Sequence, residues 1–313
     1  MTRLARCHSV AIVGVRGTVV DIEVHIGGMP GFSLVGLPDA SLYESRDRVR
    51  AAVLSSRESW PLQRITVSLS PAALPKRGSH FDLGVAVAIL SAAEEVPPAA
   101  VDGVLFLGEL ALDGRLRPVR GVLPAVLAAD RAGLTRAVVP AANAAEARLI
   151  PGMRVFGARS LRQVLAHLRG TEIPDEPRDE LDETSDALAP AADETLDLAD
   201  VAGQDVPRRA VEIAAAGHHH LLLSGTPGSG KTMLARRLPS LLPDLSIDES
   251  LEVTSIHSIA GVLPPGRPLI VRPPFVDPHH TSSLVSIVGG GSRVPHPGAA
   301  SLAHRGVLFL DES

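Results

Sequence analysis

Two short stretches hold residues whose types and spacing could do chemistry together. Gly225 to Thr232 reads GTPGSGKT, and Val307 to Glu312 reads VLFLDE. The first fits the phosphate-binding pattern G-x-x-x-x-G-K-[ST]. Gly225, Gly228 and Gly230, with Thr226, Pro227 and Ser229 between them, let the loop turn backbone N–H groups inward as an anion nest, and a helix N-terminus adds positive potential. Lys231 would reach the β and γ phosphates of ATP, and Thr232 would offer its hydroxyl to Mg²⁺. In the second stretch Asp311 would hold the metal through water, and Glu312 would polarise the attacking water. The chemistry is transfer of a phosphoryl group to water.

Such a site needs elements to position it. Leu221 to Leu223, the end of HHHLLL, reads as a short strand entering the loop, and KTMLARRL as the helix leaving it. PRRAVEIAAAG (207 to 217) reads as a helix with proline in its first turn and Gly217 past its end. Val307 to Leu310 reads as a short buried strand that delivers Asp311. Earlier in the chain, GTVVDIEVHI (17 to 26) and RITVSLS (64 to 70) alternate like strands, and ASLYESRDRVRAAVLSS (40 to 56) has helical spacing with Asp39 as cap. FDLGVAVAIL (81 to 90) is a buried segment of helical type. LFLGELALDGRLRPV (105 to 119) predicts a hairpin, with Asp113 and Gly114 in a type I′ turn. A helix over Leu123 to Ala132, a strand over 137 to 140 and a helix over Leu161 to Leu168 complete an α+β domain.

Composition sets the outer bounds. With 313 residues, 45% of them hydrophobic, the chain suits two globular domains. Residues 171 to 200 hold twelve acids against Arg178 alone, with three prolines and no aromatic residue, and predict an acidic linker between domains 1–170 and 201–313. Residues 1 to 170 carry twenty Arg and Lys against fourteen acids, an excess that permits nucleic-acid contact. The single cysteine, Cys7, forms no internal disulfide. The sequence shows neither a signal peptide nor a membrane span, so the expected compartment is cytoplasmic, without a membrane partner.

Against this background a resemblance covers nearly the whole chain. DLADVAGQDVPRRAVEIAAAGHHHLLLSGTPGSGKTMLARRLPSLLP, then SIHSIAG, PHHT, GGG and SLAHRGVLFLDE, resemble the magnesium-chelatase-like AAA+ family that includes the competence protein ComM and its YifB relatives. The stretches GMPGFSLVGLPDASLYESRDRVRAAV and LPKRGSHFDLGVAVAIL resemble the same family. The resemblance implies an α+β N-terminal domain similar to the Lon-protease and ribosomal-S5-like fold, followed by an α/β P-loop domain. It implies ATP and Mg²⁺ as ligands, a homo-hexameric ring and DNA as partner, as in branch migration. The alternatives are a chelatase-type motor for metal insertion and an inert fragment.

The Lon-like domain raises a peptidase reading, which needs a serine and a lysine together. Alignment by eye puts the serine position at His80, or at neighbouring Ser79, and the lysine position at Leu123. Lys76 and Lys231 are the only lysines of the chain. Lys76, three residues before Ser79, lacks the required setting, and the peptidase reading is rejected. His218, His219 and His220 run together at the start of a strand, where adjacent side chains alternate and cannot converge on one metal. His279 and His280 match the family's PHHT, which implies a packing or DNA-facing loop. Ala299 stands where the family is expected to carry an acid.

The family's motif continues beyond DE, so Ser313 departs from it. The resemblance then implies an incomplete P-loop domain, without sensor 1, arginine finger or lid, in which strand 1 lacks both neighbours. Weak or absent ATP hydrolysis is expected of the chain as given, as is a less stable second half.

Overall fold

The computed structural model describes residues 3–176, 196–264, 266–291 and 296–311. It forms two compact units, Met1–Ala187 and Leu188–Ser313. Most of the expected acidic linker lies outside the described residues. Among the described residues no helix is long and apolar enough to cross a membrane.

The first unit is a mixed α/β layer. In chain order it holds β1 (Arg3–Val13), β2 (Arg16–Ile26), β3 (Gly31–Val35), α1 (Ala40–Tyr43), α2 (Ser45–Ser55), β4 (Arg64–Ser70), α3 (Asp82–Ala92) and α4 (Pro98–Val101). Then come β5 (Val104–Phe106), β6 (Glu109–Leu110), β7 (Leu116–Arg117), α5 (Val122–Arg131), β8 (Arg136–Pro140), α6 (Ala144–Ala147), β9 (Arg154–Ala158) and α7 (Leu161–Arg169). Seven strands form one sheet in the order β3-β4-β2-β1-β5-β8-β9. β1, β2 and β4 pair antiparallel, whereas β3 joins β4, and β5, β8 and β9 follow β1, in parallel.

The alternation read from the sequence sets the faces. Val20, Ile22, Val24 and Ile26 of β2 and Ile65, Val67 and Leu69 of β4 point to one side and are buried. Every residue of α3 is buried, as its run of apolar residues from Leu83 to Leu90 on all sides requires, and Asp82 at its start is buried with them. On the opposite face α5 crosses β2 at Gly17. A β-carbon there would stand 2.7 Å from the Pro124 carbonyl oxygen and 2.8 Å from both Ala128 Cβ and Val10 Cγ1. At the β3 edge the rings of Phe32 and Trp60 stack at 6.5 Å, with the Arg46 guanidinium 5.8 Å from the Phe32 centroid.

Two readings change in this unit, and one long strand was not read from the sequence. β1 is a strand of eleven residues whose Ala5, Cys7, Ser9 and Ala11 alternate inward. Its small side chains hide an alternation that bulkier ones would have advertised. The hairpin β6–β7 is present, but only Gly114 takes positive φ (+88°), so the turn is not type I′. Ala111 N–H donates to Arg115 O across the three-residue loop Leu112 to Gly114, and Asp113 caps it by accepting from Arg115 N–H at 3.0 Å. The helix from 40 divides at Glu44 into α1 and α2, with Asp39 capping α1 through Leu42 N–H at 2.9 Å.

The second unit contains α8 (Asp205–Gly217), α9 (Lys231–Ala235), α10 (Ile247–Ala260), β10 (Phe275–Val276), α11 (Leu284–Val288), β11 (Gly289–Gly290), β12 (His296–Pro297), α12 (Ala299–Leu302) and β13 (Val307–Leu308). Leu198, Val201, Val211 and Leu234 form its small core beneath the glycine-rich loop, with Leu221 and Met233 against it. β10 and β13 pair in parallel, Phe275 with Val307 and Val276 with Leu308.

Here the expected strand Leu221 to Leu223 is not formed. It has no ladder partner among the described residues, Leu222 is 91% exposed, and a segment this short is not held extended without one. The histidines before it therefore do not begin a strand. His218, at φ +51°, is the left-handed cap of α8, which runs through Gly217 rather than ending before it. The expected buried strand over Val307 to Leu310 is shorter and half-exposed, because among the described residues only β10 pairs with it.

Candidate nucleotide and metal site

The loop Gly225 to Gly230 closes onto α9. Gly228 (φ +79°) and Gly230 (φ +88°) take the left-handed conformation that turns the chain into the helix, with Gly230 as cap. Ser229 N–H donates to Thr226 O at 3.2 Å inside the loop, and Leu234 N–H to Gly230 O at 3.0 Å begins the helix. Lys231 sits at the first helical position. Its Nζ bridges the loop, donating to the carbonyls of Gly225 at 3.0 Å and Thr226 at 3.1 Å.

Thr232, the next residue, reaches the second stretch. Its Oγ1 donates to Asp311 Oδ2 at 3.3 Å across 79 residues of sequence. Asp311 is carried there by β13, whose ladder continues through Phe309 N–H to Val276 O at 2.9 Å, while the rings of Phe275 and Phe309 stack at 6.1 Å. Because β10 and β13 run in parallel, the same end of the pair presents Asp277, which accepts from Arg236 Nη2 of the loop's helix side at 3.4 Å. Ligands of α/β folds collect at such carboxyl ends. Gly225 through Thr232 and Asp311 are thus brought to one place, and Glu312 lies outside the described residues.

Sequence reading missed two participants. Gln204 donates from Nε2 to Ser229 O at 3.4 Å, and a β-carbon on Gly230 would stand 2.9 Å from that nitrogen. Its only advance signal is a position just before an amphipathic helix; its left-handed φ of +55° is visible only in the structure. Asp277 was hidden between prolines in PFVDPHH, where no pattern announces a strand of two residues. The rings of the neighbouring His279 and His280 lie 4.1 Å apart, tilted by 32°, and His279 Nδ1 bonds Thr281 Oγ1 at 2.8 Å.

The residues weighed for peptidase chemistry sit in the first unit. Lys76 is fully buried and donates Nζ to the Pro71 carbonyl, and burial lowers its ammonium pKa. Ser79 Oγ donates to the Glu109 carboxylate. His80 is held against Val10 O at 2.8 Å and is pushed towards neutrality by burial. Leu123 is an apolar core position on α5, with its N–H on Glu146 Oε1 at 2.8 Å. Beside them Asp82, fully buried, takes two bonds from Arg48, at 2.7 and 3.0 Å. Desolvation raises its carboxyl to about 6, the arginine opposing but not cancelling the effect.

Residues 197–313 match the family described as magnesium chelatase, subunit ChlI, and residues 20–143 match the family described as subunit ChlI of Mg-chelatase. An uncharacterised protein of Mycobacterium tuberculosis is 57% identical over 310 residues, 99% of this chain and 60% of that protein. The competence protein ComM of Haemophilus influenzae is 43% identical over the same length, again 99% of this chain and 60% of its own. Lon protease 1 of Thermus thermophilus is 31% identical over 143 residues, 43% of this chain and 18% of that protein. The chain therefore spans about 60% of the length of the long-matching relatives.

Proposed function

The chain belongs to the magnesium-chelatase-like family of YifB and ComM, and from that premise we propose that it binds ATP with Mg²⁺ at the Gly225 to Thr232 loop, as part of a ring-forming AAA+ ATPase that acts on DNA. The observation that carries the nucleotide reading is the Thr232–Asp311 contact, which brings a hydroxyl and a carboxylate to the mouth of a glycine-rich loop. Both are hard oxygen donors, the kind that Mg²⁺ selects, so the residues fit that ion. When bound, it would neutralise charge on the phosphates.

The chain's own residues supply the rest. Loop N–H groups bind the phosphates, and the Lys231 ammonium exchanges the carbonyls of Gly225 and Thr226 for phosphate oxygens. Asp311 would help hold the ion through water, and Glu312 would polarise the attacking water. The peptidase reading stays rejected, because Ser79 is committed to Glu109 and Lys76 to Pro71 rather than to each other.

Calorimetric titration of the full chain with a non-hydrolysable ATP analogue tests the nucleotide reading. Lys231→Ala should weaken binding about 10- to 100-fold, the loss of charge-assisted bonds. Equal binding by the variant would remove the loop from the site. DNA as partner rests on the name of ComM, a competence protein, and on the basic excess of residues 1 to 170. A chelatase-type motor remains the second reading because both matched families carry that description. Binding to a labelled four-way DNA junction that weakens steeply with salt is expected on the first reading; no binding at low salt favours the second.

A further inference from the structure

The turn that launches β13 is fastened to α10 at two points. His257 Nε2 of α10 bonds Leu302 O, the last residue of α12, at 2.9 Å. Arg305, three residues on, spreads its guanidinium over two carboxylates of α10, Nη1 to Glu249 Oε1 at 2.6 Å and Nε to Glu252 Oε2 at 2.8 Å. His304 Nε2 lies 3.5 Å from the same Glu252. These acids face outward from the first turns of α10, where Glu249 also closes a capping box with Ser246.

Arg305 takes φ +58°, a left-handed conformation that non-glycine residues adopt only when their surroundings hold it. Gly306 follows, so close to the neighbouring strand entry that a β-carbon would stand 2.1 Å from Pro274 O. Val307 N–H then donates to that same oxygen at 2.8 Å and the strand begins. Partly exposed ion pairs of this kind add little stability. A planar fork on two carboxylates instead fixes direction.

We infer that the Arg305 clamp on Glu249 and Glu252 is a positioning device for the metal-binding carboxylate, setting the launch of β13 so that Asp311 arrives beside Thr232. The inference rests on the nucleotide and Mg²⁺ reading above and deepens it. Arg305 acts through Asp311, its own contacts being the carboxylates of α10.

The test is titration of the full chain with a fluorescent ATP analogue, once with excess Mg²⁺ and once with EDTA. The unaltered chain should bind more tightly with Mg²⁺, and Asp311→Asn should lose that increment. Arg305→Glu should lose about tenfold of it, the scale on which outer contacts tune a metal site, while binding in EDTA stays unchanged. Glu252→Gln, which keeps the arginine, should lose part of it. The reversed pair Arg305→Glu with Glu252→Arg should recover it, and Arg305→Glu added to Asp311→Asn should cost nothing more. A full Mg²⁺ increment in Arg305→Glu, or an equal loss in EDTA, overturns the clamp while leaving the functional reading standing. An unaltered chain with no Mg²⁺ increment overturns both.

Discussion

Asp82 poses the sharpest question at the scale of single residues. Its carboxyl is buried on α3 against Arg48 of α2, and is raised to about 6 because lost hydration outweighs the guanidinium. A carboxyl whose pKa is higher folded than unfolded holds its proton more tightly in the native state. Its contribution is then fully present below about pH 4 and is lost as pH rises through about 6. The stability of the chain relative to Asp82→Asn should therefore fall by about 2 to 3 kcal/mol across that window, as read from urea unfolding at each pH. A difference that grows with pH would mean that Arg48 holds the carboxylate ionised. Nothing in GSHFDLGVA announces this pair, since its partner lies 34 residues away on another helix. The Gly225 to Thr232 signature, by contrast, was legible as a string because phosphate binding needs consecutive backbone groups.

Elements show how close packing depends on residues that carry no side chain. Where α5 crosses β2, the space over Gly17 is filled by the Pro124 carbonyl, Ala128 and Val10. Gly17→Ala should cost about 1 to 3 kcal/mol, because neither backbone nor a neighbouring methyl can move cheaply. Chemical denaturation measures it, and an unchanged midpoint would show that α5 can lift from the sheet. The elements themselves were readable wherever periodicity was strong. β2 and β4 alternate over long runs, and α3 is apolar from Leu83 to Leu90, so both pattern and burial agreed. Reading failed where an element depends on a distant partner. Among the described residues Leu221 to Leu223 has strand composition but no ladder neighbour, and β10 is two residues between prolines that pairing with β13 makes into a strand. Asp277 was lost with it. Asp311 was found because an apolar run ending in acids is itself a signal.

At the scale of the whole molecule, the two units draw on separate cores, a large one over the sheet and a small one beneath the glycine-rich loop. Residues 1–176 expressed alone should therefore unfold at the same denaturant concentration as the first unit in the full chain. A lower midpoint would show that the second unit supports the first. Limited proteolysis should leave a stable piece ending near residue 170, and rapid digestion through β8 or β9 would argue against it. The stacked pair at the β3 edge gives this comparison its instrument. Trp60 is the sole tryptophan and Tyr43 the sole tyrosine, both in the first unit, while Leu188–Ser313 contributes only phenylalanine rings. Emission excited at 295 nm thus arises entirely from one half of the protein. The other half is dark at that wavelength, and an indole added there by substitution would glow against no background of its own.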